Sequence, residues 1–218
     1  MSRAAVRAVF FDVGGTLIEP SPSVGAIYAA AARRHGLPGT QEQMERAFRE
    51  SWSVLKRPGL TVSRKEWWRE LVFRTLGQEH EGCFAELFGV FSHAAAWRIF
   101  PDVEATLREA RGRGLHVGII SNWDERLRPL LTDLGLLSYF DSITISCEVG
   151  AEKPDKEIFN AALRAAKVAA DEALHVGDNY DEDVRGAEAV GMRALLVSRK
   201  SGGAIRDLRG IWRVLETR

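Results

Sequence analysis

The sequence carries several apolar runs that stop at a polar, potentially reactive residue. The first is Ala8-Val9-Phe10-Phe11, which meets Asp12 and then Val13-Gly14-Gly15-Thr16. Four apolar residues are too few for a helix and read as a buried strand. The two glycines let the chain turn sharply and approach a ligand closely. A carboxylate at that point is placed to act as a nucleophile, although taken alone its plainer reading is a strand-end residue that caps the turn. The pattern recurs where Ile119-Ile120 runs into Ser121-Asn122 and where Leu174-His175-Val176 runs into Gly177-Asp178, while Lys153 precedes Pro154 in a loop between them. A carboxylate, a hydroxyl, an ammonium and an acidic cluster form a coherent set for phosphoryl transfer. Neighbouring carboxylates repel, so a divalent cation is their natural neutraliser. A hard ion such as Mg²⁺ suits oxygen ligands from Asp12, Asp178 and a backbone carbonyl. Each residue also has a plainer reading: Ser121-Asn122 as the cap of the next helix, Lys153 as a surface lysine, and His175, inside an apolar strand, as a core histidine.

These residues can meet only if the elements carrying them share one edge. After Thr16 the periodicity is helical: Val24 to about His35 behind the N-cap Ser23 and ended by Gly36, then Gln41 to Leu55, Ser63 to Leu76, and about Glu79 to Trp97. Ser63 with Glu66 reads as a capping box. Between Leu17 and Ile99 the pattern predicts no strand. Trp52, Trp67, Trp68 and Trp97 fall in this block at helical spacing and read as packing residues.

From Phe100-Pro101-Asp102 onward, strands and helices alternate. The pattern predicts a helix Val103–Arg113, a strand Leu115–Ile120, a helix Asp124–Leu134, a strand Ser142–Ile145 and a loop Glu148–Pro154. A helix Asp155–Ala166, a strand Ala173–Val176, a helix Asp181–Val190, a strand Arg193–Val197 and an amphipathic tail Ile205–Glu216 follow. Strands joined by single helices need right-handed crossovers and form a parallel sheet. The expected architecture is a doubly wound, Rossmann-like α/β core of residues 1–17 and 98–218, with residues 18–97 inserted as an all-helical cap. In such a sheet, ligands bind beyond the carboxyl ends of the strands, where distant residues surround one site.

Composition narrows the function classes. Among 218 residues, 30 are basic and 30 acidic, so net charge gives no reason to expect a nucleic-acid or membrane partner. Two cysteines, Cys83 and Cys147, lie far apart in no metal-like spacing, and His35, His80, His93 and His116 give no cluster suggesting a metal site. No apolar run reaches membrane-spanning length, and Met1-Ser2-Arg3 leads towards the first strand without a signal-peptide pattern, so a cytoplasmic location is expected.

Four segments in order now support a resemblance: Asp12-Val13-Gly14-Gly15-Thr16, Ile120-Ser121-Asn122, Lys153-Pro154 and Gly177-Asp178-Asn179-Tyr180-Asp181-Glu182-Asp183. The chain resembles the haloacid dehalogenase superfamily, with an insertion similar to the helical type-one cap. Its Ser121-Asn122-Trp123-Asp124 variant is similar to the dehalogenase-like hydrolase domain-containing protein 3 group. The resemblance implies Asp12 as the nucleophile, forming an aspartyl-phosphate, and Lys153 as the cation joining phosphoryl group and nucleophile. It implies Ser121 and the Asn122 N–H as phosphate donors, with Gly15 also meeting the substrate. It implies Mg²⁺ held by Asp12, the Gly14 carbonyl, Asp178 and Asp183, the last directly or through water, while Asp181 and Glu182 are solvated and Thr16 braces the loop.

One position departs from that pattern. Phosphatases of the superfamily carry an acid two residues after the nucleophile, where this chain has Gly14, and losing a general acid typically removes about 10²–10⁴ in rate. The expected function is a Mg²⁺-dependent phosphatase on a small phosphorylated metabolite. The alternatives are a non-catalytic relative binding a phosphorylated ligand or a protein, and a 2-haloacid dehalogenase, for which Gly14 would be harmless.

Overall fold

The structure is a computed structural model that describes residues 4–55, 63–199 and 202–216. The expectation about the lead-in from Met1 therefore falls partly outside the described residues. The chain forms two compact units, one of Met1–Ile18 with Ile99–Arg218, the other of Glu19–Arg98.

In chain order, β1 (Ala8–Phe11) and β2 (Ile18–Pro20) precede four helices, α1 (Val24–Arg34), α2 (Gln41–Val54), α3 (Arg64–Leu76) and α4 (Glu81–Val90). Then come β3 (Trp97–Ile99), α5 (Val103–Gly112), β4 (His116–Ser121), α6 (Leu127–Asp133), β5 (Ser142–Ile145) and α7 (Ser146–Val149). The chain continues through α8 (Lys156–Ala166), β6 (Ala173–Gly177), α9 (Gly186–Glu188), β7 (Arg193–Leu196) and α10 (Gly210–Glu216).

Five strands form one sheet in the order β5-β4-β1-β6-β7, and every pairing within it is parallel. The doubly wound α/β class follows from this order, with the chain stepping outward from β1 in both directions. All four residues of β1 are fully buried, which explains their continuous apolar character: a central parallel strand is covered on both faces. The register pairs Phe11 with Ile119 of β4 and Val176 of β6, so the chain emerges at Asp12 between the ends of its two neighbours.

The unit Glu19–Arg98 is built on α1–α4. Ser23, Thr40 and Ser63 cap α1, α2 and α3, the latter two as full capping boxes with Gln43 and Glu66. Its core gathers Ile27, Tyr28, Met44, Phe73, Phe84 and Leu87. Trp67 is buried and stacks edge-on to Trp52 and Trp68, with ring centroids 5.4 and 5.1 Å away. Trp52, Trp67 and Trp68 thus pack together as the helical spacing suggested, Trp52 at the edge of the group and 40% exposed.

Several boundaries differ from the sequence expectation. β2 and β3 pair as a two-stranded sheet where no strand was expected. The helix expected to reach Trp97 stops at Val90, because the Ser92 hydroxyl bonds the Phe88 carbonyl and the Trp97 indole N–H bonds the Phe91 carbonyl, turning the chain. α6 begins at Leu127 rather than Asp124, whose carboxylate instead accepts the Arg126 N–H and guanidinium. α7 occupies part of the expected loop Glu148–Pro154. The tail is helical only from Gly210, since Ile205 bridges Val197 in extended form. Residues Tyr180–Arg185 form a wide π-type turn in place of the first part of the regular helix expected over Asp181–Val190.

Candidate active site

Asp12, Ser121 and Lys153 come together at the carboxyl edge of the sheet. Ser121 ends β4, and its hydroxyl donates to Asp12 Oδ1 at 2.9 Å. Lys153 Nζ donates to the same oxygen at 2.7 Å and to Asp183 Oδ1 at 2.5 Å. The lysine is only 3% exposed, so the surface-lysine reading fails. Burial alone would lower the Lys153 pKa, but the charges of Asp12 and Asp183 outweigh it and hold the ammonium protonated well above its ordinary range.

The loop that presents Lys153 is fastened by Asn122. Its side-chain carbonyl accepts the Lys153 N–H at 2.7 Å, and its amide donates to the Lys153 carbonyl at 2.9 Å and to Glu182 at 3.1 Å. The Asn122 side chain therefore positions the lysine. Glu182, expected to be solvated, is half-buried against this amide, whereas Asp181 is exposed and pairs with Arg185.

Asp183 reaches the site because of the wide turn. The Asn179 side chain caps it by accepting the N–H groups of Asp181 and Glu182, and the Asn179 N–H donates to Asp183 Oδ2 at 3.0 Å. The buried Asp183 also accepts His175 Nε2 at 3.0 Å. Burial opposes its charge, but Lys153 and His175 more than compensate, holding its pKa well below the usual carboxylate range. His175 is a core histidine that also supports the site, a role its apolar strand setting did not reveal. Its only legible signal was a polar residue within a strand leading to Gly177-Asp178. Its bond to Asp183 makes Nε2 the donor and leaves Nδ1 buried without a partner.

Two glycines make room for the acids. Gly15 has φ +77°, and a Cβ there would collide with the Asp178 carboxylate; a Cβ on Gly177 would collide with Asp183. The Gly15 N–H donates to the Ile18 carbonyl at 2.8 Å, so this glycine shapes the loop rather than offering that N–H to a ligand. Thr16 is fully buried and its hydroxyl has no partner, while its carbonyl accepts Arg199. Its bracing contact therefore runs through the main chain.

Asp12, Asp178 and Asp183 each offer an oxygen within 4.8 Å of the others, the one such acidic group among the described residues. Asp183 already accepts three donors and Asp12 Oδ1 accepts two. Among the described residues, Asp12 Oδ2 and the Asp178 carboxylate receive no side-chain hydrogen bond, and the Gly14 carbonyl accepts no bond within its loop. Burial, reinforced by the charges of Asp12 and Asp183, pushes Asp178 up to about 7. The Asp178 residue is itself exposed, with a carboxylate oxygen facing Asp12 and Asp183. Hard, mutually repelling oxygen donors of this kind fit a divalent cation.

Residues 6–191 match the family model for haloacid dehalogenase-like hydrolases. The mouse haloacid dehalogenase-like hydrolase domain-containing protein 3 is 36% identical over 94% of this chain and 88% of its own length. A phosphoserine phosphatase of Thermus thermophilus is 33% identical over 89% of each chain. A solved phosphatase of the same superfamily from Thermococcus onnurineus superposes with a TM-score of 0.72 at 26% identity, covering 97% of this chain and 98% of the other. This chain belongs to the haloacid dehalogenase-like hydrolase family, and it is a hydrolase. Among the described residues no helix is long and apolar enough to cross a membrane.

Proposed function

We propose that the protein is a Mg²⁺-dependent phosphatase that acts on a small phosphorylated molecule through an aspartyl-phosphate at Asp12. The observation that carries this reading is the Lys153 ammonium held between Asp12 and Asp183, beside the open carboxylate of Asp178. Phosphatase-named relatives of similar length support it.

Ser121 and Lys153 both bind Asp12 Oδ1, which leaves Oδ2 as the attacking oxygen. Oδ2 forms a bond to phosphorus as the bond to the leaving oxygen breaks. Lys153 balances charge that would otherwise keep an anionic phosphoryl group from an anionic nucleophile, and Ser121 has a hydroxyl to offer a phosphoryl oxygen. Asn122 holds the lysine loop throughout. Mg²⁺ would sit with Asp12, Asp178 and the Gly14 carbonyl, Asp183 orienting the site from behind, and would supply charge neutralisation to the phosphoryl group. Glu19–Arg98 serves in this reading as a cap that excludes water during turnover.

Gly14 also favours a second reading, a relative that holds a phosphorylated ligand without turning it over. Phosphate release from p-nitrophenyl phosphate separates the two. Mg²⁺-dependent release abolished by Asp12→Asn supports the phosphatase, and metal binding without release across a panel of phosphometabolites supports the binding protein. Chloride release from 2-chloropropionate without metal would instead indicate a dehalogenase.

A further inference from the structure

The side chains around Asp12 are well suited to bind a phosphoryl group and poorly suited to protonate what leaves it. Lys153 holds its proton between two carboxylates. The Ser121 hydroxyl proton points at Asp12 Oδ1. His175 is fully buried behind Asp183, with no face to the solvent side of the site. Asp178 belongs to the acidic group that fits a cation. The remaining position on the loop beyond Asp12 is Gly14, and there the structure offers an aromatic wall: a Cβ at position 14 would meet Trp123 Cζ3 at 3.4 Å and, its chain neighbours aside, no other atom of the described residues within 4 Å. The indole follows directly from Ser121-Asn122, and the chain is turned there by the Trp123 N–H bonding the Ser121 carbonyl at 3.1 Å. Among the described residues of the α/β unit, the side chains named here beside Asp12 are each engaged with a carboxylate or, in the case of Asp178, assigned to the cation, which would hold it ionised.

From this arrangement we propose that the substrate is an activated phosphate, an acyl phosphate whose leaving group is a carboxylate, rather than the phosphate ester of an alcohol. The proposal rests on the phosphatase reading above. Asp12 Oδ2 forms the new bond to phosphorus, the bond from phosphorus to the acyl oxygen breaks, and its electron pair leaves as a carboxylate. A carboxylic acid has a pKa of about 4, so its anion departs without a proton. An alcohol, like water with a pKa of about 16, does not. Water then attacks the phosphorus of the aspartyl-phosphate, the bond from phosphorus to Asp12 Oδ2 breaks with its electron pair returning to the carboxylate, and both protons of that water leave on the released dihydrogen phosphate. Neither half of the cycle requires a carboxylic acid at position 14.

The test is phosphate release by the full chain with Mg²⁺ from acetyl phosphate, p-nitrophenyl phosphate, phenyl phosphate and glycerol phosphate. The expected result is that kcat/KM falls continuously as the leaving group becomes more basic, by at least about 10²-fold from acetyl phosphate to glycerol phosphate, the range a missing general acid costs. Gly14→Asp, whose Cβ has room, is expected to narrow that ratio by at least about tenfold. Release from glycerol phosphate within about 10²-fold of acetyl phosphate would overturn the proposal and leave the phosphatase reading standing, because a donor would then have to come from elsewhere. No release from acetyl phosphate alongside release from any of the esters would likewise overturn the proposal alone, and no release from any of the four would overturn both.

Discussion

Replacing Lys153 by methionine removes a charge from the place where the structure depends on it most. The ammonium is 3% exposed and lies 2.7 Å from Asp12 and 2.5 Å from Asp183, whose side chains are 11% and 2% exposed. Without it, two carboxylates remain near one another in a water-poor pocket, and Asp183 keeps only His175 and the Asn179 N–H. Removing one partner of a buried pair costs about 3–5 kcal/mol, because the other charge is left uncompensated. For a chain of this size each kcal/mol moves Tm by about 2–4 °C, so metal-free Lys153→Met should melt about 6–20 °C below the parent. Calorimetry with and without Mg²⁺ measures this, and added Mg²⁺ should recover part of the loss by supplying positive charge to the same carboxylates. A fall of less than about 2 °C without metal would show that the three groups are not the buried, charged cluster described here.

Three further perturbations probe the surroundings. Gly15→Ala should abolish Mg²⁺ binding measured by titration calorimetry, since it combines φ +77° with a clash on Asp178, and unchanged affinity would refute that placement. Asp178 has its pKa raised to about 7 in the folded protein, so a proton competes with the cation below that pH. The Mg²⁺ dissociation constant should therefore rise by about tenfold per unit as pH falls from about 7 towards 5 and be flat above 8, and a pH-independent constant would contradict the shift. Because the shift is upward, the same group favours the metal-free folded state at low pH, and that contribution fades as pH rises through 7. Arg199→Met should destabilise the α/β unit by about 3–5 kcal/mol in urea unfolding. Its guanidinium bonds both oxygens of buried Asp102 at 2.8 and 2.7 Å and the Thr16 carbonyl at 2.5 Å. A loss under 1 kcal/mol would mean that this pair is mostly solvated.

The α/β class was legible because strand endings and helix stops are local. β1 is wholly apolar up to Asp12, and Gly36, Gly114 and Gly135 end their helices with positive φ. The site residues on β1, β4 and the Lys153 loop could be placed from the sequence because a parallel sheet brings its carboxyl ends together. What could not be read depends on side chains reaching back to the main chain. The wide turn of Tyr180–Arg185 is set by Asn179 and turns Asp183 inward, and periodicity carries no trace of it. Asn122 was expected to act through its N–H, while its side chain clasps Lys153, a contact across 31 residues. His175 looked like packing because burial and support of Asp183 give the same apolar strand pattern. β2 and β3 are three residues each and stabilise one another only as a pair, so neither is visible alone.

The central claim is that Asp12 itself takes the phosphoryl group. Rapid acid quench of the protein turning over acetyl phosphate with Mg²⁺, followed by peptide mass spectrometry, tests it most directly. A phosphate adduct on the peptide containing Asp12, absent from Asp12→Asn, is the predicted result. Turnover with no adduct there, or with the adduct on another residue, would contradict the account.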